Sequence, residues 1–168
     1  MQTSFIQSQD GTRLRIGKSG EASRHVLLVH GLAEHMDRYT HVVEALNGAG
    51  WAVTAVDLRG HGESEGKRGH VDRWEQYLDD VRAAAATIDG SVVLLGHSMG
   101  GLVALDLAID GLPNGIDAMV LSDPNVAVAI EAQRNRSPTS GTFVFQLCAR
   151  NFCAAAFCCS CVTAASSA

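Results

Sequence analysis

Hydrophobic positions in the first 125 residues form short continuous runs separated by amphipathic stretches. Residues 25–29, 51–56 and 92–95 are apolar without polar alternation. Runs of this length, with β-branched residues, predict strands covered on both faces. Residues 117–122 predict a further short strand, halted by Asp123-Pro124. Between the runs, Tyr39, Val42, Val43 and Leu46 recur at helical spacing and predict a helix over 37–49, with Gly48 and Gly50 at its end. Trp74, Tyr77, Leu78 and Val81 do the same for 72–88, with Asp72 near the helix start, and residues 99–109 predict a third helix. Ahead of these elements, Phe5-Ile6 and residues 13–16 flank Asp10-Gly11 and predict a hairpin, its second strand alternating as if one face were exposed. The order is therefore a β-hairpin followed by β-α-β-α-β-α-β, an α/β chain with a mostly parallel sheet and helices on both faces. Ligands of such sheets bind at the carboxyl ends of strands, where His30-Gly31-Leu32, residues 57–62, Ser98 and Asp123 fall.

Composition divides the chain into two parts. Its 168 residues amount to about one domain on the usual scale of roughly 150 residues each. The net charge is −5 and the basic residues are scattered, so a nucleic-acid-binding footprint is absent. Residues 1–10 lack the basic start and apolar stretch of a signal peptide, and none of the five cysteines precedes Cys148, so a cytoplasmic protein is expected. Residues 1–125 hold 10 of the Lys and Arg residues and 17 of the Asp and Glu residues, whereas 126–168 hold 3 and 1, and no charge follows Arg150. Residues 126–168 thus read as an aberrant Cys/Ala-rich tail on the body formed by 1–125. Three explanations stand for it. A shifted reading frame or truncated gene accounts for the lost charge and the sudden cysteines together. A short membrane anchor over 143–162 is interrupted by Arg150, and any membrane association is expected only through this tail. A cysteine metal site lacks a second spaced pair.

The candidate chemistry centres on Gly96-His97-Ser98-Met99-Gly100. A Gly-x-Ser-x-Gly between an apolar strand and an apolar-faced helix has the context of a nucleophile elbow. Such a turn strains the serine backbone and tolerates no bulk beside it, which Gly96 and Gly100 supply. Ser98 would head the following helix, with the Met99 N–H directed at developing negative charge. His61 reads as a brace for its own loop. Asp57 reads either as the residue that orders the 59–64 turn or as a carboxylate with a part in chemistry. No histidine pair has metal-ligand spacing, and no metal or cofactor is expected.

Four blocks carry a family resemblance: His30-Gly31-Leu32-Ala33-Glu34-His35 with Arg38-Tyr39; Asp57-Leu58-Arg59-Gly60-His61-Gly62-Glu63-Ser64; Gly69-His70-Val71-Asp72 with Trp74; and Gly96 to Gly101 around Ser98. In this order they resemble α/β-hydrolases of the monoacylglycerol lipase and lysophospholipase type, grouped with serine aminopeptidase-like hydrolases, over about residues 4–125. The resemblance implies hydrolysis of a small lipid-like carboxylic ester without a cofactor. Ser98 would be the nucleophile, and the backbone N–H groups of Leu32 and Met99 the oxyanion hole. In this fold the acid and then the histidine follow the serine. Asp123 ends a strand and is one acid candidate, although the resemblance puts the acid one strand later. No base candidate exists, because all seven histidines precede Ser98. The expectation is an incomplete α/β-hydrolase fold, inactive and aggregation-prone in this form. An aminopeptidase or small-ester esterase, and a catalytically dead remnant or binding module, are the alternatives.

Overall fold

The apolar runs become the inner strands of a six-stranded sheet in a computed structural model that describes residues 1–113 and 115–124. The strands are β1 (Gln2–Gln7), β2 (Arg13–Ser19), β3 (His25–Val29), β4 (Ala52–Val56), β5 (Val92–His97) and β6 (Ile116–Ser122). The helices are α1 (Thr40–Gly48), α2 (Glu75–Ala85) and α3 (Met99–Asp110). The sheet order is β1-β2-β4-β3-β5-β6. β1 pairs antiparallel with β2, and β2 antiparallel with β4; β4, β3, β5 and β6 run parallel. The expected hairpin and mostly parallel sheet are both present. The composition break and the tail lie outside the described residues.

The unalternating strands follow from cover on both faces. Val26 and Leu28 of β3 pack with Val42, Val43 and Leu46 of α1, while Leu27 and Val29 enter the cluster built by α2 and α3. Successive side chains point to opposite faces, so a strand with two buried faces takes a polar side chain only where it finds a partner, as Thr54 of β4 does in His25. The chain crosses from β3 through α1 to β4 on one side, then returns past β3 through α2 to β5 on the other. Strand order reverses at β3, and the loops after β3 and β5 meet at that crevice, where open α/β sheets hold ligands.

Three local expectations are corrected. The alternation in β2 does not leave a face exposed: Leu14 and Ile16 are buried, and so is Arg15. The loop after β4 folds back over this strand. The Arg15 N–H donates to Ser64 Oγ (2.8 Å), and its guanidinium meets Asp37 (2.7 Å), Glu63 (3.4 Å) and Asp57 (3.5 Å). The helix expected over 37–49 begins as a single 3₁₀ turn, Met36–Tyr39, before α1. The one expected over 72–88 shortens to Glu75–Ala85, leaving Asp72 exposed ahead of it. Trp74 is fastened instead to the neighbouring helix, its Nε1–H donating to Asp106 of α3 (2.8 Å).

Candidate active site

The turn from β5 into α3 strains a single residue. Ser98 has φ +50° and ψ −113°, a conformation costly for any residue with a Cβ. The surroundings hold it there. Its N–H donates to the Ser122 carbonyl of β6 (2.9 Å), and its carbonyl accepts the Leu102 N–H (3.1 Å). A Cβ on Gly96 would lie 2.4 Å from the Gly100 carbonyl oxygen, and one on Gly100 would lie 2.4 Å from the Val29 carbonyl oxygen. Both contacts are backbone against backbone, so α3 could not approach β3 and β5 this closely with any other residue at either position. Ser98 is partly exposed, and Met99 is the first residue of the 12-residue α3. N–H groups in a first helical turn have no intrahelical acceptor, and the helix dipole adds to their pull on negative charge.

The loop after β3 lies beside Ser98. A Cβ on Gly31 would stand 3.3 Å from Ser98 Cβ and 3.4 Å from His97 Cδ2. Leu32, next in this loop, exposes its side chain, and Ala33 follows at φ +58°. His30 is fully buried. Its Nε2 accepts the Leu58 N–H (3.1 Å), so Nδ1 carries the proton and donates to the Gly31 carbonyl (2.7 Å). Burial pushes this imidazole down to about 4, and a neutral ring with both nitrogens engaged cannot serve Ser98 as a base.

The loop after β4 underlies these two. Asp57, fully buried, accepts the Met36 N–H (2.7 Å) and the Glu63 N–H (3.1 Å), while its own carbonyl accepts the Ser64 hydroxyl (2.6 Å). This geometry ties the 36–39 and 57–64 segments together and favours the ordering role over the chemical one. His61 is buried, with Nδ1 on the Arg59 carbonyl (3.0 Å) and its ring 5.1 Å from that of His30; its Nε2 has no partner among the described residues. Asp123 follows β6 at φ +46°, exposed. The histidine contacts go elsewhere: His97 to Ser122 Oγ (3.2 Å), His25 to Thr54 (2.8 Å), His70 to Asp72 (3.2 Å) and His35 to Asp37 (3.5 Å). The structure therefore brings Ser98, Met99 and the Gly31–Leu32 loop to one edge, with Asp123 following the strand that pins the elbow. A hollow of about 320 Å³ is lined by Gln2, Ser4, Ile6, Ile16, Lys18 and Thr87, none of which belongs to these loops.

One supporting arrangement is invisible in the spacing of residues. Arg59 directs Nε and Nη2 onto Asp80 of α2 (2.6 Å at the shortest), Nη1 onto Asp10 (2.6 Å) and Nη2 onto Ser8 (3.1 Å). This buried guanidinium fastens the β1–β2 turn and α2 to the loop under the elbow. The sole hint in the sequence is Asp80, a charge on the apolar face of its helix.

Comparison with known proteins bears on the family and the fold. The family model described as serine aminopeptidase, S33, matches residues 20–152. Phospholipase YtpA of Bacillus subtilis is 35% identical over 112 residues, which are 65% of this chain and 43% of that protein. The monoacylglycerol lipase of Mycolicibacterium smegmatis is 42% identical over 106 residues, 60% of this chain and 38% of the relative. Among solved structures, the monoacylglycerol lipase of Paleococcus ferrophilus superposes with TM-score 0.62 at 40% identity, covering 68% of this chain and 44% of its own. The chain spans about two fifths of the length of the curated relatives it matches. Among the described residues no helix is long and apolar enough to cross a membrane.

Proposed function

Because the chain belongs to the serine aminopeptidase S33 family, we propose that residues 1–125 are the nucleophile-bearing part of a serine hydrolase that cleaves a lipid-type carboxylic ester, a monoacylglycerol or a lysophospholipid. The observation that carries this reading is Ser98 itself, held at φ +50° at the head of α3 and flanked by the Gly31–Leu32 loop. In the proposed reaction Ser98 Oγ attacks the ester carbonyl. The Leu32 and Met99 N–H groups receive the oxyanion, the alcohol leaves, and water releases the acid from the acyl-serine. A serine hydroxyl needs a base to take its proton, and that base needs an orienting acid. Asp123 is the acid candidate within the described residues. No histidine follows Ser98 in the 168 residues, and His30 is engaged. These 168 residues on their own are therefore expected not to turn over an ester.

The test supplies the base from solution. p-Nitrophenyl acetate is offered to the chain and to Ser98→Ala with and without imidazole, and acylation of Ser98 is read by intact mass and peptide mapping. Without imidazole the two proteins behave alike. With imidazole only the parent acquires an acyl group on the peptide that carries residue 98, acetylation of lysine, tyrosine and cysteine side chains being common to both proteins. Ser98-dependent turnover in plain buffer overturns the inactivity, and acylation indifferent to Ser98→Ala overturns the nucleophile, leaving a binding remnant. The description of the family model favours one second reading, an aminopeptidase or small-ester esterase. Acylation from a long-chain p-nitrophenyl ester in preference to acetate or an aminoacyl p-nitroanilide rejects it.

A further inference from the structure

Resting on Leu32 as an oxyanion donor, we propose that Glu34 is a positioning residue that sets the direction of the Leu32 N–H by gripping Gly31. A Cβ at position 31 would lie 2.9 Å from Glu34 Oε2 and 3.3 Å from Ser98 Cβ, so a side chain there would push the Glu34 carboxylate off the Gly31 N–H. The residue that must approach Ser98 is thus the one with the freest backbone, and something other than a Cβ has to restrain both peptides that flank it. The two peptides are held separately. The Gly31 carbonyl accepts His30 Nδ1–H (2.7 Å) and the Glu34 N–H (3.3 Å). That peptide is trans, so the Leu32 N–H points opposite to the pinned carbonyl, away from the buried histidine. The preceding peptide is held by Glu34, whose Oε2 accepts the Gly31 N–H (3.1 Å).

The carboxylate is itself held. Tyr39 Oη–H donates to the same oxygen (2.5 Å), and Arg38 Nε lies 3.4 Å from Oε1. The turn that brings Glu34 back over Gly31 passes through Ala33 at φ +58°, another strained position at the same edge of the sheet. Burial pulls the Glu34 carboxyl upward, but the hydrogen bonds from Tyr39 and Gly31, together with the charges of His97 and Arg38, hold it below its ordinary value. Glu34 therefore stays anionic and can only accept. His30 and Glu34 together fix the torsions on both sides of Gly31, one from within the core and one from the rim.

The experiment uses the whole chain with imidazole as external base and compares Glu34→Ala, Glu34→Gln and the parent. An oxyanion donor is worth about 10²–10³ in rate, so a donor left mobile costs about 10- to 100-fold in Ser98 acylation by p-nitrophenyl acetate. Glu34→Ala shows that loss in buffer where its urea curve, shifted by the hydrogen bonds it gives up, still places it on the folded baseline. Glu34→Gln, which keeps a carbonyl oxygen for the Gly31 N–H, recovers to within about threefold of the parent. Hydrogen exchange of the Gly31 amide reports the grip directly. It accelerates in Glu34→Ala and stays slow in Glu34→Gln. Parental acylation or parental Gly31 exchange in Glu34→Ala overturns the proposal, as does an equal loss in both variants. If the parent itself is not acylated, the nucleophile reading and the positioning role fall together, and the exchange data still decide whether Glu34 restrains Gly31.

Discussion

Gly62→Ala is the substitution through which the structure makes its sharpest quantitative claim. Gly62 lies in the loop after β4 at φ +49°, and a Cβ there would stand 2.0 Å from Asp57 Oδ2. The carboxylate cannot step aside cheaply. It is fully buried, accepts two backbone N–H groups at 2.7 and 3.1 Å, and faces Arg15 Nη1 at 3.5 Å. A left-handed residue with a Cβ costs about 1–2 kcal/mol. Hydrogen bonds to a charged acceptor contribute about 1.5–3 kcal/mol each. Added to the backbone cost, losing one gives a destabilisation of roughly 2.5–5 kcal/mol and losing both roughly 4–8 kcal/mol, a large share of the ~5–15 kcal/mol of a typical domain. Gly69 is the internal control, since φ there is +62° and a Cβ at that position would have nothing within 4 Å. Gly69→Ala should show the backbone cost alone. Urea unfolding followed by the fluorescence of Trp51 and Trp74 compares the two, with linear extrapolation at a common slope. In an Asp57→Ala background the Gly62→Ala increment should shrink to that of Gly69→Ala, which a double-mutant cycle reads directly. Variants at 62 and 69 that unfold within about 1 kcal/mol of each other would refute the reasoning, because Asp57 would then not be held in place.

Two further predictions test the strain and the buried histidine. Ser98→Gly removes the Cβ from a φ of +50° and should stabilise the fold by about 1 kcal/mol after the extra chain entropy of glycine is counted, whereas Ser98→Ala keeps the strain and stays near the parent; calorimetric midpoints separate them. His30 has its folded-state value lowered to about 4 from 6.5, so the unfolded chain binds the extra proton between those values. The stability that this supplies is complete above about pH 6.5, declines as pH falls toward 4, and amounts to about 3 kcal/mol when wholly lost. A His30 ring resonance that titrates near its ordinary value in the folded chain would contradict this.

Much of the architecture is legible because its causes are local or periodic. A strand covered on both faces is mostly apolar and does not alternate, so residues 25–29, 51–56 and 92–95 announce themselves as inner strands. The elbow is legible for a steric reason: glycines two residues either side of Ser98 are the minimum that lets α3 start against the Val29 carbonyl and Gly96 face Gly100. Alternation in β2 misleads about Arg15 because it reports only its own strand. What covers Arg15 is a segment some 49 residues later, through Ser64, together with Asp37 and Asp57. Glu34 stands within the first of the four family blocks, yet its grip on Gly31 depends on a turn at Ala33 that no spacing rule describes.

The sequence by itself determined the class of the fold, the order of its elements and the identity of Ser98 as the exceptional residue, because hydrophobic period and glycine spacing act over a few positions. Tertiary structure alone decided that β3 lies between β4 and β5, and so that the Gly31–Leu32 loop meets the elbow across the reversal of strand order. It also decided which charges are buried, since Arg59 finds Asp80 21 residues away and Asp10 49 residues away. Ion pairs and loop contacts of that kind form only once the sheet has brought distant segments together, and no local pattern encodes them.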